Sequence, residues 1–149
     1  MSSNSAFTEQ MFSGMFEVRP STIHGLGLFA RKHLPKGTIW LAGTAEQKLV
    51  ITRPQYEILT QSEQTPDISV FITIIHQYAI YDATLDVLIL FLNDSRYVNH
   101  ATNPNSYTPP GAYHCEALRD IEPGEEILED YNTYDHCPWA GLTSDPSRW

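Results

Sequence analysis

Short apolar runs separated by turn residues recur along most of the chain, a pattern typical of many short β-strands. Near the N-terminus, residues 16–19 alternate apolar and polar side chains, and residues 26–30 and 38–41 are apolar runs bounded by glycine or proline. Residues 113–118 and 126–130 repeat this pattern towards the C-terminus. The sequence therefore predicts a mainly β fold with small sheets and short helices.

The middle of the chain contains the clearest helix start. The Thr52 hydroxyl can cap a helix, and Gln55, three residues later, can complete a capping box, so a short helix is predicted there. The apolar, β-branched stretch 68–80 fits either a strand or a helix, because a short apolar run does not fix the period. Residues 82–84 then predict a hairpin turn before the apolar run 85–92.

Length and charge narrow the class of protein. A chain of 149 residues fits one domain with its own core. The net charge of −9 argues against nucleic-acid binding, which needs basic surface, and favours a basic protein or peptide partner. The sequence has no apolar run of membrane-spanning length and no signal-peptide pattern, so a soluble product, cytoplasmic at synthesis, is expected, with nuclear entry left open.

Two cysteines, Cys115 and Cys137, are too few for a disulfide framework and are compatible with a reducing compartment. Each follows a histidine, and imidazole and thiolate are ligands that zinc prefers. Adjacent side chains on a strand diverge, however, so all four would seldom converge on one ion. No metal site is expected.

Three motifs concentrate the residues that can carry chemistry: GLGLFA at 25–30, RYVNHATNPN at 96–105 and GEEILEDY at 124–131. The glycines of the first allow close approach of the backbone to a ligand. The second places an amide and an imidazole side by side before a turn that proline stiffens. So dense a polar loop is more typical of a binding pocket than of core packing.

In their order and spacing, the three motifs resemble the SET-domain protein-lysine methyltransferases over about residues 16–135. The resemblance implies the SET fold, in which small β-sheets surround a knot-like C-terminal crossing that brings Asn99 and His100 against the last strand. It also implies methyl transfer from S-adenosylmethionine to a lysine side-chain amine of a histone or another lysine-rich protein. The competing interpretation is a non-catalytic SET fold that binds a peptide or cofactor, since Ala101-Thr102 replace the usual Ser-Cys.

The resemblance also assigns site residues. Tyr131 takes the place of the last tyrosine of the third motif and is the catalytic candidate, because its phenol can orient a lysine amine for in-line attack on the sulfonium methyl. No metal is needed for this displacement. The residues expected to contact the cofactor are Gly25, Leu26, Gly27, Arg96, Asn99, His100 and Trp139.

Glu129 is the main departure from the family, which usually has Tyr or Phe at this position. Residues two apart on a regular strand share a face, so Glu129 would point into the same substrate channel as Tyr131. There it could hold a lysine ammonium, but it would also raise the lysine pKa and disfavour the neutral nucleophile. Altered methylation multiplicity, a different substrate, lost activity and a solvent-exposed rim position are the alternatives. Tyr107 could supply a replacement hydroxyl, and Tyr134 is expected to line the channel.

The neighbouring Glu125 and Glu126 resemble a catalytic carboxylate pair, but adjacent residues on a strand face opposite ways. Hydrolase chemistry is therefore a poor interpretation. Glu126 is expected to anchor a loop through hydrogen bonds, and Glu125 to be solvated.

The expected organisation is an N-terminal arm or disordered leader at 1–15, a SET domain at 16–135 and a tail at 136–149. The tail is expected to close the site without the Cys-rich zinc cluster that many relatives carry. Substrate choice would then come from the insert 44–92, the tail or a second subunit. The apolar content of residues 68–92 is compatible with a homodimer.

Overall fold

A computed structural model describes residues 14–43, 47–109 and 112–143. Strands in small sheets dominate them, with two α-helices and short 3-10 helices, so the predicted mainly β class is confirmed. Residues 1–13 of the predicted arm and 144–149 of the predicted tail lie outside the described residues. Within the described part of the chain, no helix is long and apolar enough to cross a membrane.

The chain divides into two compact units. The described residues within Met1–Gln47 and Asn93–Asp130 form the first unit, and those within Lys48–Leu92 and Tyr131–Trp149 form the second. The strands of the first unit are β1 (Phe16–Pro20), β2 (Leu26–Ala30), β3 (Ile39–Ala42), β7 (Asn99–His100), β8 (Ser106–Tyr107), β9 (His114–Ala117) and β10 (Glu126–Glu129).

The first unit contains two sheets. One has the strand order β1-β2-β10-β7, and the other has the order β3-β9-β8. Strand β10 is antiparallel to β2 but parallel to β7, with Leu128 opposite Asn99 and Glu129 opposite His100. The Asn-His pair therefore lies against the last strand, as the resemblance predicted.

A buried apolar cluster holds the first unit together. Leu28 and Ala30 alternate with the other residues of β2 and point into this cluster, which also contains Trp40, Ile121 and Ile127. The Trp40 indole is fully buried, and its Nε1 donates a hydrogen bond to Ser106 Oγ at 2.8 Å. The ring thus packs in a cluster drawn from both sheets of this unit, while its one donor is satisfied within the sheet β3-β9-β8.

In the second unit, β4 (Lys48–Thr52) leads directly into helix α1 (Arg53–Gln61). The predicted capping box is confirmed, because the Gln55 N–H donates to Thr52 Oγ1 at 3.3 Å and the Thr52 N–H donates to Gln55 Oε1 at 2.9 Å. This signal is local in the chain, so the sequence alone could locate it.

Of the two alternatives for residues 68–80, the helix is correct over most of the stretch. Helix α2 (Pro66–Tyr78) begins with proline after the Thr65 cap, whose hydroxyl accepts a bond from the Ile68 N–H. Val70 and Phe71 on this helix are more than half exposed. The homodimer remains a prediction.

The predicted hairpin follows α2. Strands β5 (Ile80–Asp82) and β6 (Val87–Phe91) pair antiparallel, and β4 pairs with the other edge of β6. Asp82 Oδ1 accepts bonds from the N–H groups of Thr84 and Leu85, which closes the turn. The second core lies beside this sheet and contains Ile51, Tyr56, Ile75, Ala79, Leu88, Cys137, Ala140 and Leu142.

Candidate active site

The side chain of Asn99 links the three motifs. It is buried in β7, and its amide Nδ2 donates to the His24 carbonyl at 3.0 Å, the Leu26 carbonyl at 3.1 Å and Glu126 Oε1 at 3.0 Å. Two N–H groups are thus shared among three acceptors from two other segments. The motifs quoted from the sequence meet at this amide, and Glu126 has the anchoring role predicted for it.

The two positions of the first motif, Gly25 and Gly27, favour glycine for different structural reasons. Gly25 has a φ of 47°, the left-handed region that L side chains rarely adopt. At Gly27 an added Cβ would collide with Glu126 Oε1 and press on Ser21 Cβ. The close approach expected at this glycine is therefore occupied by a protein carboxylate in the structure.

Asn105 organises the turn that follows the Asn-His pair. Its amide Nδ2 donates to Glu125 Oε2 at 3.0 Å and to the Glu126 carbonyl at 2.7 Å, while its Oδ1 accepts from the Leu128 N–H at 2.8 Å. Only 1% of Asn105 is exposed. Its side chain therefore bonds the chain leading into and through β10.

Glu125, which was predicted to be solvated, belongs to the same network, and 28% of its side chain is exposed. Besides Asn105, it accepts bonds from the Glu122 N–H at 3.1 Å and from Arg119, whose Nη1 lies 2.8 Å from Oε2. Burial alone would raise the pKa of the Glu125 carboxyl, but the bonds from Asn105, Glu122 and Arg119 together lower that pKa below its ordinary value.

Arg96 and His100 have partners close to them in sequence or in the sheet. Arg96 lies in a 3-10 helix, where its Nη1 donates to the Asn93 carbonyl at 2.6 Å and its guanidinium lies 4.3 Å from the Tyr97 ring centre. His100 is partly buried, with its Nδ1 3.7 Å from Asp130 Oδ1. Both side chains are therefore oriented by their neighbours.

Glu129 is buried, with 3% of the residue exposed, so the solvent-exposed rim position is wrong. Thr108 Oγ1 donates to Glu129 Oε1 at 3.0 Å and lies 3.7 Å from Cys115 Sγ. Burial raises the pKa of the Cys115 thiol well above its ordinary value, and the charge of Glu129 raises it further. These three side chains form a polar cluster of which the sequence indicated only the carboxylate.

The predicted shared face of Glu129 and Tyr131, which required one regular strand through both residues, is also wrong. Strand β10 ends at Glu129, and Tyr131 begins a separate 3-10 helix, Tyr131–Thr133. No regular strand connects the two residues, so the alternation rule does not give them a common face.

Tyr107, the candidate for a replacement hydroxyl, pairs with Glu116 across β8 and β9. A hydrogen bond to the Glu116 carboxylate is the main reason that the pKa of Tyr107 is raised. Along β9, Glu116 alternates with the buried residues Cys115 and Ala117. Tyr107 therefore shares the sheet face of Glu116, opposite to that of Cys115, and its channel role remains a prediction.

Three predicted aromatic site residues lie in the second unit. Tyr131 and Tyr134 stack, with ring centres 5.3 Å apart and planes 22° from parallel. The Tyr134 N–H donates to the Tyr131 carbonyl at 3.1 Å, which fixes the backbone between the rings. Trp139 packs at 5.5 Å from Tyr56 and 6.1 Å from Tyr81, and its Nε1 donates to Asp86 Oδ1 at 2.9 Å.

Comparison with known families identifies the protein family that has this arrangement of motifs. The profile of the SET domain family matches residues 25–132, which include all three motifs. The chain belongs to the SET domain family. The family suggested by the three motifs is therefore confirmed, and it is a family of methyltransferases.

Two solved structures share the SET fold. A Plasmodium falciparum protein described as a candidate histone methyltransferase aligns with a TM-score of 0.52 at 18% identity, over 85% of this chain and 98% of that one. The chain also aligns with ctPRC2 in an autoinhibited conformation bound to S-adenosylmethionine, with a TM-score of 0.61 at 19% identity. That match covers 83% of this chain and 16% of the other. No curated protein matches the sequence.

Within this SET domain, the structure brings some predicted site residues together. Gly25, Leu26, Gly27 and Asn99 form one bonded group in the first unit, and Tyr131 and Tyr134 form a pair in the second. Among the residues described, no three His, Cys, Asp or Glu side chains are grouped to hold a metal ion. The knot-like crossing remains a prediction. The residues that sequence reasoning missed are Asn105 as an organiser and Thr108 as the partner of Glu129.

Proposed function

We propose that this SET domain transfers a methyl group from S-adenosylmethionine to the side-chain amine of a protein lysine. The observation that carries the proposal is the Asn99 amide, which ties the Asn-His motif to both the glycine motif and Glu126. A hub of this kind holds the backbone of three family motifs in one arrangement, which is what binding a fixed ligand requires.

The first unit offers a suitable cradle for the cofactor. At Gly25, no described atom beyond this residue and its two chain neighbours lies within 4 Å of the position that a Cβ would take, so the backbone of this left-handed residue is accessible. Leu26 beside it is substantially exposed. We assign the cofactor contacts of this unit to Gly25, Leu26, Gly27, Arg96, Asn99 and His100, where backbone groups and side-chain donors can recognise an amino acid and a nucleoside.

S-adenosylmethionine supplies an electrophilic methyl group on a sulfonium. Tyr131 is the proposed catalytic residue, because its hydroxyl can accept or donate a hydrogen bond that orients the lysine amine towards that methyl. The ring of Tyr134, stacked on Tyr131 at 5.3 Å, restricts the plane in which the hydroxyl lies. The amine must be neutral to attack, so the lysine ammonium would first lose its proton to water. The methyl would then pass to nitrogen as its bond to sulfur breaks, which leaves a neutral thioether and a positively charged methylated amine.

The charge of the chain supports a lysine-rich substrate. Eighteen Asp and Glu residues against nine Lys and Arg give a net charge of −9, which attracts a basic protein such as a histone. Inside the first unit, the buried Glu129 carboxylate adds a negative group that an ammonium could approach. We infer that substrate recognition depends on attraction of positive charge.

A second candidate is a non-catalytic module that binds the cofactor or a peptide. The buried Glu129 favours it, because a carboxylate close to a lysine would stabilise the ammonium over the neutral nucleophile. Both candidates bind a ligand, and turnover on lysine separates them.

The test is methyl transfer from labelled S-adenosylmethionine to core histones and to a mixed lysate, with products identified by mass spectrometry. An assay at about pH 8.5 leaves more lysine neutral than one at neutral pH. Label on lysine supports the enzyme, whereas calorimetric binding of the cofactor without label supports the binding module. Absence of both would contradict the proposed cofactor.

A further inference from the structure

Asp86 has a backbone conformation that is uncommon outside glycine. It lies in the turn between β5 and β6 with a φ of 52°, and it is the one residue other than glycine with positive φ in the part of the chain that the structure describes. Glycine adopts this conformation without the steric cost that a Cβ adds. The turn alone therefore does not explain an aspartate here, and its side chain must be considered.

The Asp86 carboxylate joins two aromatic residues. Its Oδ1 accepts a bond from the Tyr81 hydroxyl at 2.5 Å and another from Trp139 Nε1 at 2.9 Å. The rings of Tyr81 and Trp139 also meet edge to face, at 86°. We call these three residues, Tyr81, Asp86 and Trp139, the hairpin latch.

The latch connects the hairpin to the C-terminal segment at a second point. Tyr81 forms a β-bridge with Asp135, and the Ala83 N–H donates to Asp135 Oδ2 at 3.3 Å. Asp135 directly follows Tyr134 in the chain. Tyr81 thus holds the backbone next to the stacked Tyr131–Tyr134 pair. Tyr81 also contacts the indole of Trp139, five residues after Tyr134.

We propose that Asp86 is a positioning residue, which holds the segment 131–143 through Tyr81 and Trp139 and thereby fixes the stacked pair Tyr131–Tyr134. Its importance for the reaction rests on the proposed function, because the pair matters to turnover only if Tyr131 orients the lysine amine. The two hydrogen bonds of Asp86 go to Tyr81 and Trp139, so Asp86 would act on the stacked pair through these two residues.

The electrostatics of the latch agree with this role. The hydrogen bonds from Tyr81 and Trp139 lower the pKa of Asp86 below its ordinary value, and the bond to Asp86 raises the pKa of Tyr81 to about 12. A carboxylate with two donors is thus present at neutral pH, and charge-assisted bonds of this kind are stronger than neutral ones.

Two substitutions separate the side chain from the backbone of this residue. Asp86→Gly keeps the positive φ and removes the acceptor, whereas Asp86→Asn tolerates the same φ and keeps an acceptor oxygen without the charge. Asp82→Ala is the control, because it removes the carboxylate that caps the same turn and keeps Tyr81, Asp86 and Trp139. Hydrogen exchange followed by mass spectrometry reports on the segment 131–143 in each protein.

We expect Asp86→Gly to speed amide exchange in 131–143 about tenfold, as loss of a charge-assisted contact predicts. Asp86→Asn should stay within about threefold of the wild type, since a neutral acceptor restores most of the contact. Asp82→Ala should speed exchange within the hairpin only. Exchange in 131–143 that is unchanged in Asp86→Gly would overturn the proposal.

The kinetic readout tests whether this positioning serves the reaction. Asp86→Gly should lower kcat by about the same factor as it speeds exchange, with the KM for the cofactor within about twofold, and Asp86→Asn should restore kcat. Faster exchange with an unchanged kcat would show that Asp86 holds the segment but does not position a reacting group. If the wild type transfers no methyl, the proposed function fails, and the exchange experiment still decides whether Asp86 holds the segment.

Discussion

The two units differ in which polar side chains they bury and in where those side chains find hydrogen-bond partners. Among the described residues, the buried polar side chains Asn99, Asn105, Ser106 and Glu129 all belong to the first unit. In the second unit, the described core is apolar and aromatic. The hydroxyl of the buried Tyr56 lies 2.6 Å from His76 Nε2, whereas the Tyr81 hydroxyl and the Trp139 indole bond the exposed Asp86 at the edge of the hairpin. The first unit thus buries amides and a carboxylate, whereas the second unit uses the hydroxyl and indole groups of its rings and bonds two of them to a surface carboxylate.

This difference indicates how each unit would serve a methyl transfer. A buried amide network has few alternative arrangements, because an unpaired polar atom in the interior costs about 1 to 3 kcal/mol. Such a network suits a rigid cradle for a cofactor. The surface carboxylate of the second unit instead holds two rings through hydrogen bonds, which suits the positioning role proposed for Asp86.

Asn105→Ala is expected to have the largest effect, because it removes the centre of the buried network in the first unit. The change leaves the Leu128 N–H and the Glu126 carbonyl without their buried partner, so we expect the free energy of unfolding to fall by about 3 kcal/mol. Urea denaturation measures this. Asn103→Ala, the same change at an exposed residue of the same turn, should cost less than about 0.5 kcal/mol. Equal losses in the two variants would show that the network is not what stabilises the first unit.

A smaller effect is expected for Glu129→Phe, which restores the residue type usual in the family. If Glu129 faces the lysine, removing its charge and adding a ring should change the ratio of mono-, di- and trimethylated product about tenfold, because the space and charge beside the amine both change. Mass spectrometry of the modified peptide measures this ratio. An unchanged ratio would indicate that the buried cluster with Thr108 is structural.

The smallest expected effect is that of Glu125→Gln, and it depends on pH. The pKa of Glu125 is lowered in the folded state, so its contribution to stability is present above the unfolded pKa and is lost as pH falls through the folded pKa. The variant should be about 1 kcal/mol less stable at pH 7, with the difference disappearing below about pH 4. Denaturation curves at several pH values test this, and a difference independent of pH would exclude the ionised carboxylate as its cause.

Local signals allowed the sequence to predict part of this fold. The capping box of Thr52 and Gln55 depends on residues three apart, and it forms as expected. The start of α2 had a similar signal in Thr65 and Pro66, but the β-branched residues that follow fit a strand equally well. Only the packing of Ile75 and Ala79 in the core distinguishes the two.

The candidate site shows where sequence reasoning fails. The three motifs identified the family, but Asn105 bonds residues twenty or more positions away, and its burial depends on how the chain returns to it. The exposure of Glu129 likewise depends on Thr108, twenty-one residues earlier. Residue type and spacing indicate which groups are present, whereas long-range pairing decides which of them are buried.

The central claim, that Tyr131 catalyses methyl transfer in a SET domain, is tested most directly by comparing Tyr131→Phe with the wild type in turnover and in cofactor binding. Tyr113→Phe, at an exposed tyrosine outside the proposed site, is the control. We predict that Tyr131→Phe lowers turnover by about 100-fold while the calorimetric Kd for S-adenosylmethionine stays within about twofold. Wild-type turnover in the variant, or an equal loss of turnover and cofactor affinity, would contradict this claim.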